Sequence, residues 1–379
     1  MEKKLRILFL LDFFSFLGGT EAVNFALLKG LKERGHELAV CVGEEPSFPA
    51  WAESIRALSI PLFTSGAPYR QTNDLDAERA FIETQVGYLA ESWRPDVIFA
   101  HPPGRLLIAF LEGYPDLGIP VVAMEYTVPG KNTAGWYHPA LPGIQHRITT
   151  YIAKCREAEE GLRTYYGYQG PIIQIPNPVL GGPETEPPIQ GDLLSVGCVA
   201  RLSPEKGIGF LLGAWHKVSE QVPGASLHLY GHGLHEGYYR TLTQDLGLTD
   251  SVVFEGTFPP VTGLAEVAKR HRIFVQPSLF ESIPNAMIEL LLWKKAFVAS
   301  KVGGIPELIH PERGEGLLVD PASTDQLSDA LLCLLRDRAL TDSMAERSWL
   351  TVRGTYNYET VVSRYEATLL DAAEGRFGP

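Results

Sequence analysis

Along the chain, short runs that are apolar at every position alternate with longer stretches in which apolar residues recur every three or four positions. LRILFLLDFF, HELAVCVG, PDVIFAH and IPVVAMEY are runs of the first kind, and residues 21–34, 77–93 and 106–111 are of the second. A strand apolar on both sides must have both sides covered, and the intervening helical periods supply that cover. This half therefore reads as a parallel sheet in an α/β domain, with Gly35 closing the helix over 21–34. Near 170–192 the pattern dissolves into QGPIIQIPNPVLGGPETEPPIQGD, and a linker is expected over 179–192. A second series follows, with DLLSVGCVA, ASLHLYG, SVVFEG, RIFVQPS and AFVAS as strands. Helices are expected between and after them over 207–222, 238–247, 263–271, 284–293 and 325–337. The expected fold is α/β: two Rossmann-like, doubly wound domains, 1–178 and 193–355, facing each other across a cleft at the carboxyl ends of both sheets. Residues 344–370 carry one more helical pattern with Trp349, Tyr356 and Tyr365, and the segment 356–379 is expected to pack across the domain junction.

Length agrees with two domains, since 379 residues exceed what one core usually holds. A hydrophobic fraction of 45% excludes extensive disorder. The net charge of −12 argues against a nucleic-acid coat, which needs clustered Lys and Arg. It leaves room for a small phosphate-bearing ligand, for which a few cations and backbone N–H groups suffice. Cys41, Cys155, Cys198 and Cys333 form no CxxC pair, so zinc and redox motifs are absent, and Cys41, Cys198 and Cys333 read as small core residues. The apolar N-terminus is broken by Asp12 and reads as a first strand rather than a signal peptide. No run reaches the ~18–20 apolar residues of a membrane span. The expected location is a reduced cytoplasm, with at most weak peripheral contact at the inner face of the membrane.

The richest candidate chemistry is in VGCVARLSPEKG, residues 196–207, where a strand delivers Arg201 and Lys206 to a loop just before a helix. Two cations beside helix N–H donors suit a diphosphate, and the plainer alternative is a pair of solvated surface charges. In PSLFESIPNAMIELLLWKKAFVASKVGGIPELI, residues 277–309, Pro284 suits a first helical turn, so Glu281 precedes a helix N-terminus. Glu289 falls among Ile288, Leu290, Leu291 and Leu292, where a carboxylate needs donors such as a ligand diol, unless it lies on a solvated stripe. Gly18 and Gly19 of LGGTEA permit close approach of a ligand after the first strand. GHGLHEG at 231–237 has three residues before its last glycine where a dinucleotide fingerprint has two, and His232 and His235 read as surface residues rather than metal ligands. No GxGxxG follows either first strand, which disfavours an NAD-dependent dehydrogenase. His101, at the end of PDVIFAH, suits a bond to a sugar hydroxyl or acid–base work, with structural packing as the alternative. Phe13, Phe14, Phe16 and Leu17 read as core in preference to an acceptor-side wall.

Taken together, these segments resemble the family 4 (group 1) retaining glycosyltransferases of the GT-B fold. The resemblance rests on Gly-Gly-x-Glu after the first strand, PDVIFAH, Ile175-Pro176-Asn177, ARLSPEKG, the Glu281-x7-Glu289 element and the GGIPE that follows the next strand. It implies that Arg201 and Lys206 bind the donor diphosphate and that Glu289 holds the ribose hydroxyls. Glu281, with Ser282, Ile283, Pro284 and Asn285, would contact the transferred sugar, and Gly18 and Gly19 would close over the donor. His101, Glu281, Arg201 and Lys206 form the expected catalytic set, with retention by front-face attack, no essential metal and no cofactor beyond the donor. Tyr126, preceded by Glu125, stands where many members have His, and both are acceptor-side candidates. Pro178 and Ala200 stand where Gly is common. The implied reaction moves a hexose from a UDP- or GDP-sugar to a sugar, lipid-linked sugar or small-molecule acceptor. A GT-B-fold sugar-nucleotide epimerase or hydrolase, and a non-catalytic nucleotide-sugar-binding protein, are the alternatives. Nucleic acid is not an expected partner. The charge is uneven: residues 1–178 hold 16 Lys and Arg against 20 Asp and Glu (−4), and the rest 17 against 25 (−8), so the expected donor-binding half is the more acidic one.

Overall fold

A computed structural model of the chain describes residues 3–12, 19–43, 49–65, 75–131, 139–259 and 263–377. The chain divides into two units, Met1–Pro178 with Glu359–Pro379, and Val179–Tyr358. Among the described residues the first unit holds β1 (Arg6–Leu11), β2 (Glu37–Val42), β3 (Leu62–Thr64), β4 (Val97–His101), β5 (Val121–Met124), β6 (Thr150–Ala153) and β7 (Ile172–Gln174). They pair in parallel in the order β3-β2-β1-β4-β5-β6-β7. The second unit holds β8 (Asp192–Val199), β9 (Ser226–Tyr230), β10 (Val252–Gly256), β11 (His271–Gln276), β12 (Ala296–Ser300) and β13 (Leu317–Val319), parallel in the order β10-β9-β8-β11-β12-β13. In each sheet the order reverses beside the first strand, the doubly wound arrangement in which ligands bind at strand carboxyl ends.

The apolar runs form strands because both faces are covered: from Ile7 to Leu11 every residue of β1 is buried. On the helix Gly19–Glu33, Val23, Leu27 and Leu31 recur every fourth position and enter the same core, and Gly35 follows at φ 87°. The final helix, Tyr358–Ala373, supplies Val361, Tyr365, Leu369 and Ala372 to that core, with the Tyr365 ring edge-on to Phe99 at 6.4 Å. This helix is therefore an integral layer of the first unit. The segment after Pro178 is not a free linker, because its backbone is tied into the second unit. Gly181 C=O accepts from Trp293 Nε1 at 2.6 Å, and Gln190 C=O accepts from Lys295 Nζ at 2.8 Å.

Several expectations change. The helix expected over 77–93 is an α-helix over Asp76–Phe81 followed by π-helical runs Ile82–Val86 and Leu89–Trp93, ended by Arg94 at φ 51°. Pro284 is the capping residue before the helix Asn285–Leu292, not part of its first turn. Cys333 is exposed, because the helix Thr324–Arg336 turns Leu331, Leu332, Leu334 and Leu335 inward and leaves Cys333 on its outer side. β7 forms inside the stretch that the loss of pattern marked as irregular. Phe13, Phe14, Phe16, Leu17 and Gly18 lie outside the described residues. No described helix is long and apolar enough to cross a membrane.

Candidate functional site

In the second unit, two loops at the carboxyl edge of the sheet are locked together. The loop after β8 carries Arg201, passes through the 3-10 turn Pro204–Lys206 and enters the helix Ile208–Gln221. The loop after β11 carries Ser278 and Glu281 to the helix Asn285–Leu292. Leu279 N–H donates to Glu205 C=O at 2.8 Å, and Gly207, at φ 68°, presses against Pro277, where a Cβ would stand 2.0 Å from the Pro277 oxygen. Only glycine permits that approach. The result brings Lys206 Nζ to 2.6 Å from Glu281 Oε1, and Ser278 Oγ (2.9 Å) and Gln276 Nε2 (3.2 Å) donate to the same oxygen. Both members of the pair are largely buried, with side chains 17% and 9% exposed, so the charges face little screening.

Arg201 is held less firmly. Its side chain is 66% exposed, with Nη2 3.5 Å from Glu205 Oε1. Such a pair contributes little, so a phosphate can displace it at small cost. Burial raises the Glu205 pKa, but the Ser203 hydroxyl, a backbone N–H, Arg201 and Lys206 outweigh it and the net shift is downward. Ser282 C=O accepts from Gly304 N–H at 2.6 Å, while Gly303, at φ 55°, leaves room for Glu281 C=O. The Gly-Gly of GGIPE thus buttresses the Glu281 loop. Ile283 is buried, and Pro284 C=O accepts from Met287 and Ile288 N–H as the helix of Asn285 begins. Glu289 lies on that helix, with Oε1 accepting from Gly181 N–H at 3.4 Å. Burial raises its pKa to about 7, and the one long bond from Gly181 N–H offsets this only in part. The solvated-stripe alternative does not hold for this carboxylate.

In the first unit, the carboxyl ends of three adjacent strands gather polar groups. β4 ends in His101, paired with Leu11 of β1; β5 leads into Glu125 and Tyr126; β6 leads into Lys154. His101 is fully buried and its Nδ1 lies 2.5 Å from Asn24 Oδ1, so Nδ1–H donates and Nε2 is left as an acceptor, buried with no partner. Burial first, and the Lys154 charge second, hold its pKa well below the ordinary value, so the ring is neutral. The Tyr126 ring stands edge-on to it at 6.0 Å. Glu125 accepts from Thr127 N–H (2.9 Å), Thr127 Oγ1 (2.8 Å) and Tyr166 Oη (3.1 Å), and burial still raises its pKa. Gly19 opens the helix Gly19–Glu33 and is exposed. His232 and His235 are exposed, and among the described residues no cluster of three His, Cys, Asp or Glu could hold a metal ion. Lys154, Ser278 and Gln276 are the site residues that the sequence motifs do not point to. Lys154 alone leaves a signal in the sequence, a lysine at the end of the apolar TYIA run.

Two Rossmann-like units in one chain are the architecture of the GT-B class. The glycosyltransferase family 4 model matches residues 17–179, and the glycosyl transferases group 1 model matches residues 194–337. The chain belongs to this glycosyltransferase family. A GDP-mannose-dependent alpha-(1-6)-phosphatidylinositol monomannoside mannosyltransferase of Mycobacterium tuberculosis is 31% identical over 182 residues, 46% of either chain. Glycogen synthase of the same organism is 23% identical over 312 residues, 76% of this chain and 72% of that one. The alignment with the mannosyltransferase thus spans about half of that relative's length. Among solved structures, Anabaena HepE in complex with UDP superposes with TM-score 0.77 at 18% identity, covering 97% of this chain and all of that one. Sucrose-phosphate synthase of Thermosynechococcus elongatus does so with TM-score 0.77 at 19% identity, covering 97% and 98%. At those identities the likeness is one of fold.

Proposed function

We propose that the protein is a retaining glycosyltransferase that moves a hexose from a UDP- or GDP-sugar to a sugar, lipid-linked sugar or small-molecule acceptor. The observation that carries this reading is the Lys206–Glu281 pair, held between two interlocked loops beside a helix N-terminus. The names of similar proteins support it: one uses GDP-mannose, and HepE was solved with UDP and with UDP-glucose. In this reading the C1–O bond to the β-phosphate breaks as the acceptor oxygen bonds C1 on the same face. The acceptor proton passes to the departing phosphate oxygen. Negative charge grows on that phosphate, and Lys206, Arg201 and the N-terminus of the Asn285–Leu292 helix would meet it. Glu281, aligned by Ser278 and Gln276, addresses the sugar. His101 Nε2 accepts a hydrogen bond from a sugar hydroxyl. Cations carry the leaving-group charge here, so turnover without divalent metal is part of the proposal. Product analysis separates the rivals: the product glycoside keeps the donor's anomeric configuration, whereas free epimerised sugar with no glycoside would favour an epimerase or hydrolase.

Glu289 supplies a pH test. A ribose diol donates to the carboxylate form, so the nucleotide prefers the deprotonated side chain. With the ligand-free pKa near 7, nucleotide affinity should tighten as pH rises from 6 to 8, by up to about tenfold per pH unit below the pKa. Glu289→Gln should show only the slope due to titration of the nucleotide itself. Calorimetric Kd values for UDP and GDP at pH 6 and pH 8 check this, and equal slopes in both proteins would remove Glu289 from the ribose site.

A further inference from the structure

Lys154 is the least explained charge in the first unit. It is 5% exposed, directly after β6, and among the described residues it makes no ion pair and donates no hydrogen bond. Its ammonium lies 5.9 Å from the Tyr126 ring centroid. Lysines are almost never this buried without a partner. Glu125 attracts it without serving as one, because three hydrogen bonds from Thr127 and Tyr166 already engage both carboxylate oxygens. Against the same Tyr126 ring stands His101, with the unpartnered acceptor Nε2. An unused cation and an unused acceptor therefore flank one aromatic ring at the carboxyl edge of the sheet.

We propose that this edge is an acceptor subsite for a hydroxylated acid, in which Lys154 holds a carboxylate or phosphate group while His101 Nε2 accepts from a hydroxyl. The proposal rests on the glycosyl-transfer reading and adds an acidic class of acceptor to it. A compact ammonium with three N–H donors suits either anion. Burial lowers the Lys154 pKa to about 7, partly offset by Glu125 and then Cys155, so a bound anion favours the protonated form and binding should weaken as pH rises above 7.

The test titrates the full chain with glucose, glucuronate and glucose 6-phosphate at pH 6.5 and pH 8.5. At the lower pH at least one acid should bind about tenfold or more tightly than glucose. Which acid does so names the carboxylate or the phosphate. The preference should shrink at pH 8.5, vanish in Lys154→Met and persist at both pH values in Lys154→Arg, whose charge does not titrate. If Lys154→Met fails to fold, the loss of pH sensitivity in Lys154→Arg still decides the question. Equal binding of all three sugars by the wild type, or an undiminished preference in Lys154→Met, overturns the proposal. UDP and GDP titrations of the same wild-type sample read the parent reading separately: failure of both nucleotides to bind counts against glycosyl transfer, not against the acid subsite.

Discussion

Replacing Lys206 by methionine is expected to lower kcat/KM for nucleotide-sugar turnover by about 10²–10³. The leaving diphosphate gains negative charge only as the glycosidic bond breaks, so a cation fixed beside it stabilises the transition state more than the bound substrate. Lys206 is such a cation, because the 3-10 turn and the Glu281 carboxylate hold its ammonium in place before any ligand arrives. Methionine keeps most of the stem, and Glu281 retains Ser278 and Gln276 as donors, so the fold should survive. Nucleoside-diphosphate release measured at steady state checks the rate, and near-UV circular dichroism checks the fold. A folded variant with near wild-type turnover would take Lys206 out of the mechanism.

Gly303→Ala is expected to cost about 10² in the same kcat/KM although residue 303 carries no chemistry. A Cβ there would stand 1.9 Å from the Glu281 carbonyl oxygen and 2.9 Å from that of Ser282, against an ordinary contact of 3.4 Å or more. The Glu281 loop must retreat by more than an ångström, a displacement of the size that costs enzymes this much. The positive φ adds about 1–2 kcal/mol of strain. Gly247→Ala is the matched control, since residue 247 also has a positive φ (68°) but its Cβ would meet nothing within 4 Å. The comparison is kcat/KM and melting temperature for both variants; equal activity in the two would show that the buttress does not position Glu281.

Much of this architecture is legible in the sequence, for a physical reason. Parallel strands covered on both sides must be apolar on both sides, so ILFLL, LAVCV and VVAM announce themselves by pattern and flanking turns. What escapes has equally specific causes. The π-helical runs over 82–93 do not follow a 3.6-residue period, and the three residues of β7 are too short to show alternation among prolines. LLCLL looks uniformly buried until the helix sets Cys333 on the outer side. At the candidate site, Arg201, Lys206, Glu281 and Glu289 are visible as residue types in motifs. The contacts that organise them are not, because Lys206 meets Glu281 across 75 residues and Glu289 meets Gly181 across 108. Gly207 and Gly303 are visible as glycines, but what each presses against is a property of the fold. Lys154 is visible as a lysine at the end of the TYIA run, but its burial is not, since a lysine ending a strand normally reaches solvent.

A nucleoside diphosphate is expected to be held by the loops carrying Lys206 and Glu281, together with Glu289 on the helix Asn285–Leu292. Isothermal titration of the wild type and Lys206→Met with UDP and with GDP at pH 7.5 tests this most directly. The prediction is saturable, one-to-one binding of at least one nucleotide to the wild type, weakened about tenfold or more in the variant, equivalent to about 1.4 kcal/mol. Binding of neither nucleotide, or identical affinities in the two proteins, would contradict it.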